Sequence, residues 1–324
     1  MIFTILTALL TLIPADSLSA ILDTSIVSSA RITEKAPVAY SQIDAPQLKA
    51  NEASLSLPQS LELMPSVVSL SEGGTGVGYT SFSVRGISGY HTNVTLNGIS
   101  LGDSESQEVF WVNIPGLSSI LSSVQLQRGL GTAACGPGAF GASLNMETQT
   151  PERPGGFARG SFGSYGTWTG AARASTGKLR CGVFADAAIN VQGTEGYIRN
   201  AHARVLSAYA NFGWQGSRDL VQANLLQGAQ RSAITWNGVP YDIYPVDRRY
   251  NVNEGDTDNF SQTHVQINYR HTFTLPLKWD TTFNYTRGYG WYDIDGNKDY
   301  LGNDLYVLRS DLLYSCGKLN LCGT

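Results

Sequence analysis

Between Thr80 and Thr150 the chain carries three runs whose reading decides the rest. The first is Ser81-Phe82-Ser83-Val84-Arg85-Gly86 and the second Thr92-Asn93-Val94-Thr95-Leu96-Asn97-Gly98-Ile99-Ser100-Leu101. The third, Val124-Gln125-Leu126-Gln127-Arg128-Gly129, continues through Gly131 and Gly136-Pro137-Gly138-Ala139-Phe140-Gly141-Ala142-Ser143-Leu144-Asn145 to Thr148. In the second run Val94, Leu96, Ile99 and Leu101 alternate with polar residues about Asn97-Gly98. Asn-Gly tolerates positive φ at both turn centres, so this is a tight hairpin with a type I′ turn. The third run is a short strand that breaks into small residues and glycines and returns as a strand from Ala142 to Thr148. Such a run suits a backbone folded tightly against another surface.

Arg-Gly after an alternating strand, then V-x-L-N-G, then Arg-Gly followed by G-x-G-A-x-G and a strand, resembles the plug domain of TonB-dependent outer-membrane receptors. Any one motif is weak, but three in this order at this spacing are specific. Cys135 departs from the pattern, since the family commonly places an aromatic or polar residue before the first glycine. The resemblance implies structural roles in the plug for Arg85, Gly86, Asn97, Gly98, Arg128, Gly129, Gly136, Gly138 and Gly141.

Beyond Pro151 the character changes. Pro151, Pro154, Gly155 and Gly156 form a breaker cluster, dividing a plug at 21–152 from a following domain at 153–324. In that domain Leu206, Ala208, Ala210, Phe212 and Trp214 share one strand face, with Ser207, Tyr209, Asn211 and Gly213 opposite. Val265, Ile267, Tyr269 and Phe273 oppose Gln262, His264, Gln266, Asn268 and Arg270. Leu277, Trp279, Thr281, Phe283 and Tyr285 oppose Lys278, Asp280, Thr282, Asn284 and Thr286. A soluble sandwich would show the same alternation, but runs of ten to thirteen residues suit tilted membrane-crossing strands. Trp168, Trp214, Trp279, Tyr285 and Tyr314 at run ends fit interfacial aromatic girdles. About eight strands are expected, near 157–162, 167–175, 179–190, 204–214, 219–230, 260–272, 277–289 and 305–314. After the first pair their connections alternate short and long, as periplasmic turns and outer loops do. The expected fold is thus a transmembrane antiparallel β-barrel, incomplete at about eight strands, preceded by an α+β plug. Eight strands enclose only side chains, whereas plugged transporters use about 22. The chain therefore reads as the N-terminal part of a longer receptor.

Ahead of the plug, Ile2 to Ile13 is apolar and is followed by Pro14, Ser17, Ser19 and Ala20, so residues 1–20 resemble a secretory signal peptide. No Lys or Arg precedes Arg31, and an ordinary buried strand is the alternative. In the run Asp23 to Ala30, the resemblance implies that Ser25, Ile26, Val27 and Ser28 add a strand to the energy-transducing partner TonB, where backbone bonding demands little of the sequence. A first plug strand is the other reading. Leu48, Leu55, Leu57, Leu61 and Leu63 recur among polar residues around Pro58, predicting two short helices ended by Pro65. Ser71 to Tyr79 is glycine-rich, but no Gly-Lys-Ser/Thr follows to make it a phosphate loop. An exposed plug loop is expected there.

Composition excludes other classes. Charged residues make up 15% of the 324 residues, the net charge is −4, and 35 glycines occur without collagen periodicity. No basic cluster points to nucleic acid. No run of 18 apolar residues exists, so no helix spans a bilayer. Gly86-Ile87-Ser88-Gly89 is not a nucleophile elbow, which leaves no reading as an enzyme. His264 and His271, seven apart on one strand, point to opposite faces and share no metal. His91 and His202 complete no metal motif, and Cys135, Cys181, Cys316 and Cys322 form no C-x-x-C. A Cys316–Cys322 disulfide is open after export. Neither cofactor nor metal is expected.

The resemblance implies a receptor in the Gram-negative outer membrane, in contact with its lipids. It would bind a small-molecule or metal-chelate ligand at the plug apex and outer loops and be driven by TonB. An iron chelate such as a siderophore is the commonest cargo class; haem, cobalamin, glycan and peptide stay open. Candidate ligand residues are Tyr79 and His91 on the plug and Trp236, Tyr241 and Tyr244 on the long connection 231–259. That connection and Tyr285-Thr286-Arg287-Gly288 resemble receptors of Bacteroidetes-type bacteria. Alternatives are a non-transporting barrel or adhesin, or a truncated receptor without function. Arg85 and Arg128 are expected either to tie the plug to the wall, with Asp186 and Asp280 as inward-facing partners, or to bond plug carbonyls.

Overall fold

The computed structural model describes residues 31, 38–50, 56–103, 106–129, 140–274, 277–293 and 312–323. Residues 1–20, expected to be a signal peptide, the Ser25 to Ser28 run, Cys135, Gly136 and Gly138 lie outside them.

The plug begins with β1 (Tyr40–Asp44) and two short helices, α1 (Ala45–Ala50) and α2 (Leu57–Leu61). Pro58 sits in the first turn of α2, where its missing N–H has no intrahelical partner to lose. Leu57 and Leu61, one turn apart, bury the same face. A hairpin of β2 (Val67–Ser71) and β3 (Thr80–Val84) follows, then β4 (Thr92–Leu96), β5 (Ile99–Ser100), β6 (Leu121–Arg128) and β7 (Ala142–Thr148). The expected Asn97-Gly98 turn is present: both φ angles are positive, 52° and 78°, and Leu96 pairs with Ile99. Strands β1, β6, β7, β4 and β5 form one sheet in that order, with β4 and β7 parallel. Leu48, Leu61, Phe82, Leu121, Leu126 and Leu144 are among the residues that fill its core.

The second domain is an eight-stranded antiparallel meander. Its strands are β8 (Pro154–Phe162), β9 (Trp168–Thr176), β10 (Val183–Thr194), β11 (Ala203–Gln215), β12 (Asp219–Ala233), β13 (Thr257–Thr274), β14 (Leu277–Asp293) and β15 (Leu312–Gly323). Seven of the eight match the sequence reading. The last is described over Leu312–Gly323, paired with Thr281 to Tyr292 of β14, and the first part of its expected span, 305–311, lies outside the described residues. β8 and β15 are the outer strands of an open sheet. The alternation is inside out: in β11 every second residue from Ala203 to Gln215 is buried and the others are exposed. The concave face carries Asp186, Asn211, Gln222, Asn224, Gln266, Asn268 and Arg270, all buried. The convex face presents Leu206, Phe212, Leu225 and Ile267 to the surroundings.

Aromatic side chains band both ends of the convex face. Tyr289 and Trp291 stand at one end of β14 and Trp279 at the other, with Trp214 at the same end of β11. Tyr285 instead sits mid-strand, opposite Val265, so it belongs to the apolar band and not to a girdle. Short turns at 177–182 and 216–218 lie at one end of the sheet. The connections 163–167, 195–202 and 234–256 lie at the other, as strand parity requires.

The plug rests on the concave face, and small residues let the two backbones meet. Tyr209 and Leu226 of the wall join the plug core. Gly116, at φ 72°, lies so close to Asn190 that a Cβ there would fall 2.6 Å from the asparagine Cβ. A Cβ on Gly228 of β12 would stand 1.8 Å from the backbone oxygen of Asn113. Gly228→Val should therefore destabilise the seated plug by about 1–3 kcal/mol, the usual cost of overpacking. Gly238→Val, at a position with nothing within 4 Å, should be neutral. Denaturant midpoints of the detergent-solubilised variants compare the two; equal midpoints would refute the close approach.

Candidate functional site

The glycine-rich loop 72–79 joins β2 to β3 and reaches the outer end of the wall. Gly74, Gly76 and Gly78 all have positive φ, a backbone path that side chains resist. The loop closes on itself through Glu72 N to Tyr79 O at 3.1 Å and Gly76 N to Ser71 Oγ at 2.8 Å. It is not the exposed loop expected from its glycines: Gly73, Gly76 and Val77 are buried. Val77 packs with Val112 of the plug and with Ala203 and Val205 of the wall. The four glycines in the nine residues 71–79 allow close contact with the wall.

At the end of this loop Tyr79 donates its hydroxyl proton to Asp258 of β13, whose carboxylate also accepts Gln230 Nε2 at 2.6 Å. The Tyr79 ring meets Trp236 edge to face at 5.7 Å, and Trp236 meets Tyr292 likewise at 5.4 Å. Burial, then the neighbouring Asp258, holds the Tyr79 hydroxyl firmly protonated. Glu72 lies behind it. Burial, and secondarily the charge of Glu108, pushes its carboxyl up to about 7. Its Oε2 has no hydrogen-bond partner. Burial also raises Glu108, with Asp103 adding to the shift and a hydrogen bond from Tyr90 opposing it. The cluster thus combines aromatic faces with a carboxyl that titrates near neutrality.

Two of the five candidate ligand residues, Tyr79 and Trp236, are in contact here. Tyr241 and Tyr244 lie further along the same outer connection; Tyr241 is 93% exposed, and Arg248 covers the Tyr244 ring at 5.3 Å. His91 belongs to a separate 3-10 turn, Gly89–His91, and its carbonyl accepts Gly141 N at 2.9 Å. Asp258, Gln230 and Tyr292 were missed. Strand parity could have found Asp258, since the even residues of β13 face inward.

Of the two readings for the plug arginines, Arg128 follows the one with bonds to plug carbonyls, and the wall tie is made by other residues. Arg128 bonds within the plug, to Ser41 Oγ at 2.6 Å and to the Tyr40 and Pro65 carbonyls. Arg85, at φ 53°, is exposed, and its backbone N–H bonds Ser66 O at 2.9 Å. Asp186 and Asp280 do face inward, but wall arginines hold them: Arg173 takes Asp186 and Arg270 takes Asp280. The tie comes from the wall side. Arg173 Nη1 reaches the plug carbonyl of Ser119 at 3.0 Å and Gln149 Oε1 at 2.5 Å. Asn97, the turn residue, accepts Thr148 N and donates to Gln266 Oε1 at 3.1 Å, while Gln266 donates back to Leu96 O at 3.2 Å. Among the described residues no three His, Cys, Asp or Glu side chains are placed to hold a metal.

The Glu72 shift has a signed consequence. The folded chain keeps that proton up to about pH 7, the unfolded chain only to 4.5. Stability from this group is therefore full below pH 4.5 and lost as pH rises through 7. Glu72→Gln should match wild type near pH 4 and exceed it at pH 8 in denaturant unfolding. A difference that does not change with pH would contradict the burial of that carboxyl.

Residues 33–143 match the family model described as the TonB-dependent Receptor Plug Domain. No curated protein matches the sequence. Among solved structures, the unliganded ferric citrate transporter FecA superposes with a TM-score of 0.65 at 16% identity, covering 81% of this chain and 41% of its own. The ferric yersiniabactin uptake receptor FyuA from Yersinia pestis gives 0.64 at 14% identity, covering 79% and 42%. The siderophore receptor PirA from Acinetobacter baumannii gives 0.66 at 13% identity, covering 88% and 44%. The chain spans less than half the length of these structures. It carries a TonB-dependent receptor plug domain, seated against part of a β-barrel wall with the fold of that family.

Proposed function

We propose that this chain is the plug and first wall strands of an outer-membrane receptor that actively takes up a scarce nutrient, with an iron chelate as the cargo class. The observation that carries the reading is a folded plug seated on the polar face of a wall whose other face is apolar. Such a wall suits a bilayer, and a lumen filled by a domain passes solutes only when that domain moves. Work against a gradient in a membrane without nucleotide needs force from elsewhere, which the family resemblance assigns to TonB. Ser25, Ile26, Val27 and Ser28 are the segment proposed to pair with it by strand addition. Trp236, Tyr241 and Tyr244 on the outer connection, with Tyr79 beneath, are proposed to bind the chelate, since aromatic faces offer large contact area at low entropic cost. The iron class is supported by the ferric citrate and ferric yersiniabactin proteins among the structural neighbours.

Cells expressing the receptor that contains this chain should accumulate radiolabelled iron supplied as ferric citrate or as a siderophore chelate. Accumulation should stop with a protonophore or in a TonB-deficient host. Val27→Pro, which removes a backbone donor, should lower uptake at least tenfold while surface binding persists. Uptake indifferent to both treatments would return the chain to a non-transporting barrel, and full uptake by Val27→Pro would remove the pairing role of that segment.

A further inference from the structure

Four separate segments meet at one side chain outside the site described above. Tyr197 lies on the outer connection 195–202. Its backbone N–H donates to Gly73 O of the plug loop at 2.8 Å. Its Cβ occupies the space beside Gly74, where a side chain would come within 2.9 Å. Its ring meets Tyr165 of the connection 163–167 edge to face at 5.4 Å. From the longest connection, Arg249 Nε donates to Tyr197 O at 2.6 Å, and the guanidinium lies 5.8 Å from the centre of the ring.

Further bonds fasten 195–202 to 234–256. Arg199 N donates to Arg249 O at 2.8 Å, and Asn251 Nδ2 donates to Arg199 O at 3.1 Å. The ion pair of Arg199 with Asp247 is half exposed and contributes little. The backbone bonds and the ring contacts carry the junction. The outer connection, with Tyr241 and Val246 almost fully exposed at its surface, is thereby linked through Tyr197 to Gly73 and Gly74, in addition to the direct contact of Trp236 with Tyr79 at the end of the loop.

We propose that Tyr197 is a positioning residue that transmits displacement of the 234–256 connection to the plug loop 72–79. Binding at the exposed aromatics would shift Arg249, Arg249 would shift Tyr197, and Gly73 and Gly74 would follow because neither leaves slack for the chain to absorb the movement. Coupling of this kind requires that both ends bias the same element, and here that element is the plug loop. The proposal concerns contacts within the fold and not the cargo, so it can fail while the uptake reading stands.

Hydrogen exchange across 72–79, measured on the intact receptor in detergent, tests it. Arg249→Ala should speed exchange there about threefold to tenfold, the factor expected for losing one net hydrogen bond. Tyr197→Ala should have the same effect, the double variant no more than either single one, and Tyr197→Phe should behave as wild type because the ring and backbone remain. Exchange in β6 should be unchanged throughout. Additive effects, an unaltered plug loop in Arg249→Ala, or equal acceleration in β6 would each overturn the proposal. Should Tyr197→Ala fail to fold, Gly74→Ala probes the same contact from the plug, and unchanged exchange in 195–202 would overturn it equally.

Discussion

A strand crossing hydrocarbon has no water to bond its backbone, so each N–H and C=O must pair with a neighbouring strand. From this the rest of the structure follows. Continuous pairing from β8 to β15 leaves only side chains to face the two environments, and a pleat of period two sends alternate residues to opposite faces. The convex face is accordingly apolar through its middle with aromatic bands at the ends. The concave face collects the asparagines, glutamines and charged groups. A domain lodged there must be held by polar contacts and close backbone approach, and not by a greasy seam.

Those contacts differ in kind along the wall. Near mid-height Asn97 donates to Gln266 and Gln266 donates to the Leu96 carbonyl, and Tyr209 and Leu226 give the plug core an apolar foothold. Lower down, Arg173 neutralises buried Asp186 and lends its remaining donors to the plug. A buried ion pair is weak evidence of net stability, because desolvation offsets the attraction. Its value here is that Arg173 leaves neither Asp186 nor the Ser119 carbonyl stranded. At the outer end the plug meets the wall through glycines, aromatic edges and the Tyr79 to Asp258 bond, the region where a carboxyl also titrates near neutrality.

The strands and the Asn97 turn were legible because their signals are local: alternation, and a dipeptide that accepts positive φ. The arginine partners were not. Arg85 and Arg128 each stand before a glycine in the sequence, but an acid pairs with whatever the register brings across. Asp280 lies opposite Arg270 in the paired strands, and Asp186 lies opposite Ser175, two residues from Arg173. Both neighbours become visible only once the register is known. The glycine loop failed for a related reason. Nothing near residues 71–79 announces that Tyr197 will fill the space its glycines leave.

Site-directed spin labelling in lipid vesicles tests the inside-out wall most directly. In a chain lacking its four native cysteines, labels go on Phe212, Leu225 and Ile267 of the convex face and on Gln262 and Thr286 of the concave face. The convex labels should relax with oxygen dissolved in the bilayer and ignore an aqueous nickel chelate, while the concave labels show no lipid exposure. Convex labels that respond to the chelate as to bulk water would contradict the account.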